Sequence, residues 1–407
     1  MAIKVDFITK EIFVKIITTF MVLFRAAYLL YFFETKEILD DFFFAKSIIG
    51  VVAIVSILFE IVYSSEINKF KDNLSFVKRF NILLTKLAII LSSAVITIGY
   101  FSFGFGSIFI HLCILSLWAI MNINSNYFLL IFRYNSKNTR VLLYYLLISI
   151  FDILLLISFI EWIPNLSLNS FIAISLSILI SETIVFFAIF SKFFLKTFRI
   201  GRVHYFNEKL SFQMFFKVFI ILLIIALIDI TDKYFLSLLG DGSITYYVYG
   251  LKAPLIIRQS LDIKSNFFVQ INKLNSVKKI NKIFLSTIKK LTPFFILATI
   301  LLVITVQLFE KNIVKLFNIE DYNLLKQIIY IGIIIVPFYM IWDLFYRFYY
   351  RKNMVNKLLI IALFGFIANI IFNYLFSFVF PFGIIGILIS TLLVFLFYNI
   401  ISYRNFF

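Results

Sequence analysis

The chain has 407 residues, 62% of them hydrophobic and 14% charged, with a mean hydropathy of +1.03 and a formal net charge of +17. Soluble globular chains sit nearer half apolar and a quarter charged, so a soluble enzyme is excluded. One cysteine, Cys113, leaves no internal disulfide and no cysteine-based metal site.

About 20 apolar residues are needed to cross hydrocarbon as a helix. On that measure the sequence predicts about twelve spans, at 11–33, 43–63, 82–103, 107–131, 141–160, 169–191, 213–237, 244–268, 287–309, 323–346, 355–377 and 381–402. The chain is therefore expected to be an all-α polytopic membrane protein. The first span is too long for the apolar core of a cleavable signal, and no small-residue cleavage site follows it. Spans 3 and 4 run nearly together through Phe103–Gly106. The loops are short, leaving no room for a soluble catalytic domain. No Gly-x-x-x-x-Gly-Lys-Ser/Thr occurs, so no P-loop nucleotide is expected, and no cofactor is implied.

Charge in the loops orients the spans. The second carries Lys69, Lys71, Lys78 and Arg79; the fourth Arg133, Lys137 and Arg140; the sixth Lys192, Lys196, Arg199, Arg202 and Lys209. The eighth, with Lys273, Lys278, Lys279, Lys282, Lys289 and Lys290, and the tenth, with Arg351, Lys352 and Lys357, continue the pattern. The first loop is mostly acidic, and the third and eleventh carry no charge. Even-numbered loops are thus predicted to be cytoplasmic, with both termini inside. The same rule accounts for the net charge without nucleic-acid binding. Trp162 falls at a predicted outer interface.

The polar break near 192–212 divides the chain into six spans plus six, an N-terminal lobe at 1–200 and a C-terminal lobe at 201–407. Tyr31–Phe70 lies over Phe235–Leu274 without a gap, so that Ile67-Asn68-Lys69 meets Ile271-Asn272-Lys273. Lys137-Asn138 likewise meets Lys352-Asn353. An even number of spans per half makes this a parallel repeat. Two packed bundles with a site at their interface is a transporter architecture.

Ionisable groups at membrane depth cost about 2.5–3.5 kcal/mol each on insertion scales, and they mark bundle interiors or aqueous cavities. Arg258–Asp262, Asp229–Lys233 and Asp343–Arg347 have the spacing of self-neutralising helical pairs. Lys46, Lys264 and Arg347 lie near span ends, within snorkelling reach. Lys46 and Glu60 lie about four turns apart in span 2. Arg25 has no acid within a helical turn. Asp152 and Glu182 also lack a local partner, which leaves three roles open: pairing with Arg25, binding a proton, or coupling to an ion. His111 reads as a packed histidine. No paired-carboxylate, His-rich or DxD-like cluster supports an enzyme.

Three groups of residues resemble one family. Asp229-Ile230-Thr231-Asp232-Lys233, then Gly240-Asp241-Gly242-Ser243, then Tyr249-Gly250-Leu251-Lys252 is similar to helices 7 and 8 of the lipid II flippases and their relatives. Phe24-Arg25 and Leu39-Asp40-Asp41-Phe42-Phe43 resemble the same family's helix 1 to helix 2 passage. Asn369-Ile370-Ile371-Phe372-Asn373, Phe382-Gly383-Ile384-Ile385-Gly386 and Ser390-Thr391 resemble its helix 11 to helix 12 junction. These proteins form the MATE-like superfamily of multidrug, oligosaccharidyl-lipid and polysaccharide exporters. Lys233 and Lys252 stand where lipid II flippases usually have Arg, and two extra C-terminal helices are absent. Twelve spans and a short chain are more similar to the O-antigen and capsule repeat-unit flippases.

The resemblance implies a MATE-like, pseudo-two-fold fold. It implies a flippase carrying an undecaprenyl-pyrophosphate-linked oligosaccharide from the inner to the outer leaflet of a bacterial inner membrane. Arg25, Lys46, Lys252 and Arg258 are then the expected pyrophosphate ligands. Glu60, Asp152, Glu182, Asp232 and Asp262 are the expected coupling sites for a cation or proton, or the charge partners of those bases. Expected partners are membrane lipid, the lipid-linked substrate and other cell-wall or polysaccharide assembly proteins. Lipid II as substrate, a cation-coupled multidrug exporter and a non-transporting scaffold are the competing readings.

Overall fold

A computed structural model of the chain describes residues 5–33, 36–70, 74–135, 137–162, 170–198, 212–260, scattered positions within 285–308, 321–351 and 354–404. Among these residues every regular element is helical. The long helices are α1 (Val5–Phe32), α2 (Glu37–Phe70), α3 (Leu74–Phe103), α4 (Ser107–Tyr134), α5 (Asn138–Trp162) and α6 (Ser170–Phe198). After them come α7 (Phe212–Ser237), α8 (Ser243–Ser260), α9 (Tyr322–Arg351), α10 (Val355–Tyr374) and α11 (Ile384–Arg404), with a π-helical turn at Leu375–Val379. Eight of the described helices are long and apolar enough to cross a membrane. The expected ninth span, 287–309, and the end of the eighth fall mostly outside the described residues.

The question left by spans 3 and 4 is resolved by a glycine. Gly104 closes α3 at φ +60°, a conformation that costs glycine little, and its N–H reaches the Tyr100 carbonyl at 2.9 Å. The chain turns within Phe103–Gly106, and α3 and α4 pack against each other.

The chain divides into two compact units: residues 1–25 with 41–226, and residues 26–40 with 227–407. The expected lobe boundary near residue 200 falls outside the described residues. The unit boundaries fall instead inside α1, near the start of α2, and inside α7. In the first unit α4, α5 and α6 enclose an aromatic core. Phe128 stacks on Phe190 at 5.5 Å and Tyr144 lies 5.7 Å from the same ring. In the second unit α9 packs on α8 and α11, and α10 on α11. Small residues permit the approach. A Cβ on Gly365 would lie 2.0 Å from Tyr398, whose ring stacks on Trp342 at 4.3 Å. A Cβ on Gly250 would lie 2.3 Å from Ile328. Large apolar side chains such as Ile98, Phe101, Phe364 and Ile367 stay exposed, as expected of surfaces that face lipid rather than water.

Candidate functional site

In the second unit, the last turns of α7 carry Asp229, Asp232 and Lys233. Asp229 and Lys233 close an i,i+4 ion pair at 2.7 Å, as their spacing predicts. That leaves Asp232, which is 3% exposed. Its Oδ1 accepts from Asn369 Nδ2 at 2.9 Å and Asn373 Nδ2 at 2.8 Å. Its Oδ2 accepts from Thr391 Oγ1 at 3.1 Å and Tyr247 Oη at 3.3 Å. The two asparagines are one helical turn apart on α10, so both amides project to one side. The π-helical turn begins one residue past Tyr374, and such turns recur at functional sites.

All four of these donors are neutral. A buried carboxylate without a cation partner is expensive unless a proton or an ion joins it. The chemistry present fits a hard monovalent cation, which prefers oxygen ligands. The Asp232 carboxylate and the Thr391 hydroxyl already meet, and rotation of either amide would present Oδ1 as well. Asn369, Asn373 and Thr391 lay within the runs that carried the resemblance, but their roles were not legible. The signal was an Asn-x-x-x-Asn pair in an otherwise apolar span.

The first unit handles its acids differently. Arg25, 9% exposed, places Nε 2.7 Å from Asp152 Oδ2, and its Nη2 reaches the Ile174 carbonyl at 3.4 Å. The Nε–H is not aligned on the carboxylate, so the attraction is ionic rather than a formed hydrogen bond. Ser177 Oγ donates to Asp152 Oδ1 at 2.8 Å. Of the partners open to Arg25, the structure selects Asp152. Glu182, 2% exposed, instead receives the Tyr144 hydroxyl in a short hydrogen bond and Asn122 Nδ2 at 3.3 Å. His111 is fully buried, with Nδ1 2.7 Å from Ser175 Oγ, as a packed histidine should be.

The other expected residues are dispersed. Lys46 is exposed, its Nζ 5.6 Å above the Phe42 ring. Lys252 sits over the Tyr249 ring at 4.1 Å, a cation–π contact. Glu60 lines a pocket of about 190 Å³ with Ser56, Asn126, Arg133 and Tyr145. Arg258 belongs to α8, but its side chain, like Asp262 and the side chains of Arg347 and Trp162, lies outside the described residues. Among the described residues no group of three His, Cys, Asp or Glu side chains could hold a metal ion.

One residue was overlooked in the sequence. Asp40 accepts from Gly242 N and Thr245 N, each at 2.7 Å, and from Thr245 Oγ1 at 2.5 Å. A carboxylate thus caps the amides at the start of α8, where the helix dipole favours negative charge. Gly240 (φ +115°) and Gly242 (φ +82°) shape the turn that presents those amides. Two stretches quoted separately for the resemblance, Leu39-Asp40-Asp41 and Gly240-Asp241-Gly242-Ser243, therefore meet in one contact.

No protein-family model and no curated protein matches the sequence. Solved structures do. An outward-facing multidrug resistance MATE family transporter of the MOP superfamily is 15% identical, with 98% of this chain and 95% of that one covered at a TM-score of 0.64. An inward-facing one is 14% identical, covering 97% and 98%, also at 0.64. The fold is that of the MATE transporters. A MOP superfamily transporter from Pyrococcus furiosus, described as having a binding pocket of reverse polarity, shares 16% identity over 98% and 95% at a TM-score of 0.58. These neighbours are described as transporters, one outward-facing and one inward-facing. Eight described helices long and apolar enough to span a bilayer, arranged in that fold, make the chain a multi-pass membrane protein.

Proposed function

We propose that the chain is a cation-coupled flippase that moves an undecaprenyl-pyrophosphate-linked oligosaccharide from the inner to the outer leaflet of a bacterial inner membrane. The observation that carries coupling is Asp232: a buried carboxylate ringed by neutral oxygen-bearing side chains from α8, α10 and α11. Cation entry there would draw these three helices around α7, and its release would loosen them.

The substrate half of the reading rests on charge and on the resemblance. The chain carries 38 basic against 21 acidic residues. Lys46, Lys252 and Arg258 would meet the pyrophosphate as charge-assisted donors. Arg25 enters that set only by exchanging Asp152 for a phosphate oxygen. With the cell interior negative, outward movement of an anionic headgroup gains up to about 2.3 kcal/mol per net charge per 100 mV. Both termini are assigned to the cytoplasm. Reporter fusions at Lys137 and Lys352 should then read inside, and at Glu37 and Asp241 outside.

The test is reconstitution in liposomes with a fluorescent lipid-linked oligosaccharide under an imposed Na⁺ or H⁺ gradient. Gradient-driven flipping that Asp232→Asn removes supports the reading. The MATE fold serves a multidrug exporter equally well. Efflux of a cationic dye without flipping of the lipid would establish that alternative.

A further inference from the structure

We propose, resting on the flippase reading for the source of the ligand, that a pocket in the first unit binds one neutral sugar ring of the transported headgroup. The pocket is lined from α2, α3, α4 and α5 and has a volume of about 190 Å³. Sites for drug-sized ligands run to about 300–1,000 Å³, so this one has room for a single ring and not for a polycyclic dye. Ile57 and Tyr145 both line it and are exposed, so it opens at the surface. Glu60 lies in the second half of α2, Arg133 at the end of α4 and Tyr145 near the start of α5. The charge pattern assigns those helix ends to the cytoplasm, the side from which a flippase loads.

Charge selects the ligand class. Among the described residues the lining carries one acid, Glu60, and one base, Arg133, both partly buried. In that space a pyrophosphate would meet the carboxylate and a lipophilic cation the guanidinium, each a like-charge contact. A neutral ligand rich in hydroxyls meets neither penalty. A carboxylate accepts from hydroxyls and a guanidinium donates to them, and both bonds are charge-assisted.

The uncharged lining fits the same ligand. Asn126 Nδ2 donates to Asn122 Oδ1 at 2.8 Å, which uses one amide hydrogen. Its second amide hydrogen can donate to one hydroxyl of a sugar while its Oδ1 accepts from the next. Ser56 Oγ donates to the Ala53 carbonyl at 2.9 Å and retains lone pairs that accept. Arg133 spends one N–H on the Tyr145 hydroxyl at 3.0 Å, and that hydroxyl keeps its own hydrogen to donate. Two aromatic rings supply the apolar side. The Tyr127 hydroxyl is committed to the Val77 carbonyl at 3.2 Å, so the residue offers the pocket its ring. The Phe59 ring is held by edge contacts with Phe80 at 5.9 Å and Phe215 at 6.1 Å. A sugar ring carries hydroxyls around its edge and C–H groups on its faces, and this lining answers both.

Binding can be read without transport. The full chain would be placed in phosphatidylethanolamine–phosphatidylglycerol nanodiscs free of glycoside detergent. Saturation-transfer difference NMR would then be recorded with methyl glycosides of neutral hexoses and N-acetylhexosamines. At least one glycoside should take up saturation, and neither inorganic pyrophosphate nor tetraphenylphosphonium should displace it. Glu60→Gln, and Ser56→Leu, which fills the pocket, should each weaken binding about tenfold or more, the worth of a hydrogen bond to a charged group. Tyr145→Phe alters only a hydroxyl at the exposed edge, so it tests the site in a folded protein even where Ser56→Leu unfolds; it should weaken binding several-fold. No saturation of any neutral glycoside, or saturation unchanged in Glu60→Gln and Tyr145→Phe, overturns the site. Displacement by pyrophosphate or by the cation overturns the choice of a neutral sugar. A chain that flips the lipid yet fails these readouts keeps the flippase reading and loses the pocket. A chain that binds glycosides here yet exports a dye without flipping lipid keeps the pocket and loses the flippase reading.

Discussion

Asp152 and Asp232 are both carboxylates within long apolar helices, and the two units treat them in opposite ways. Asp152 is given a permanent counter-charge, Arg25, drawn from another helix of its unit. Asp232 is given four neutral hydrogen bonds and, among the described residues, no cation. A paired acid is a structural element, since its charge is balanced within the protein. An acid with neutral company leaves its charge unbalanced by those neighbours, and in the proposed function a cation or proton from solution would balance it. The first unit repeats the contrast internally, with Asp152 paired and Glu182 not.

Four changes would break or sharpen that comparison. The largest effect is expected for Asp232→Asn, which removes the charge and keeps the shape. Gradient-driven transport should fall roughly 100-fold, the upper range of coupling energies, while thermal unfolding in detergent is unchanged or moves upward. A large loss of stability would instead make Asp232 another structural acid. Next is Asp152→Ala, which strands Arg25. Breaking a buried pair costs about 3 kcal/mol or more, so the melting temperature should drop. The double change Arg25→Met with Asp152→Leu should recover most of it; a double variant as unstable as the single one would show that Asp152 acts through Ser177 rather than Arg25. Thr391→Val removes one of the four donors and should weaken cation affinity by about 1 kcal/mol, read as a rightward shift in the Na⁺ or H⁺ dependence of transport. The smallest effect, about 1 kcal/mol of stability, is expected for Asp40→Ala, which uncaps α8. It should appear as faster hydrogen exchange at Gly242 and Thr245, with no change at Asp232.

What was legible in the sequence, and what was not, divides along the same physical line. Helices were legible because a membrane span is a local property, a run of apolar residues of known length. The join of spans 3 and 4 at Phe103–Gly106 was legible only as a near-continuous run, and the turn at Gly104 came from the structure. The Asp229–Lys233 pair was legible because i,i+4 spacing is also local. The partners of Arg25, Glu182 and Asp232 lie on other helices, and no local pattern encodes which helix faces which. Asn369 and Asn373 were visible as polar interruptions of an apolar span, but only the folded chain reveals that they donate to Asp232. Asp40 was read as part of an acidic outer loop, where it would need no partner. Its function as a cap depends on amides from the other half of the chain.

That cap has a consequence for biosynthesis. Asp40 and its partner Gly242 are 202 residues apart in sequence. At about 5–20 residues per second, the ribosome takes about 10–40 s to make the second after the first. Throughout that interval the corner between α1 and α2, including Ala26–Asp40, has been made while the unit it belongs to has not. The nascent protein must therefore insert its first helices, hold that corner in a provisional arrangement, and re-dock it once α8 emerges. Whatever shelters the corner in the meantime, lipid, insertase or chaperone, is competing with Gly242 and Thr245 for one carboxylate.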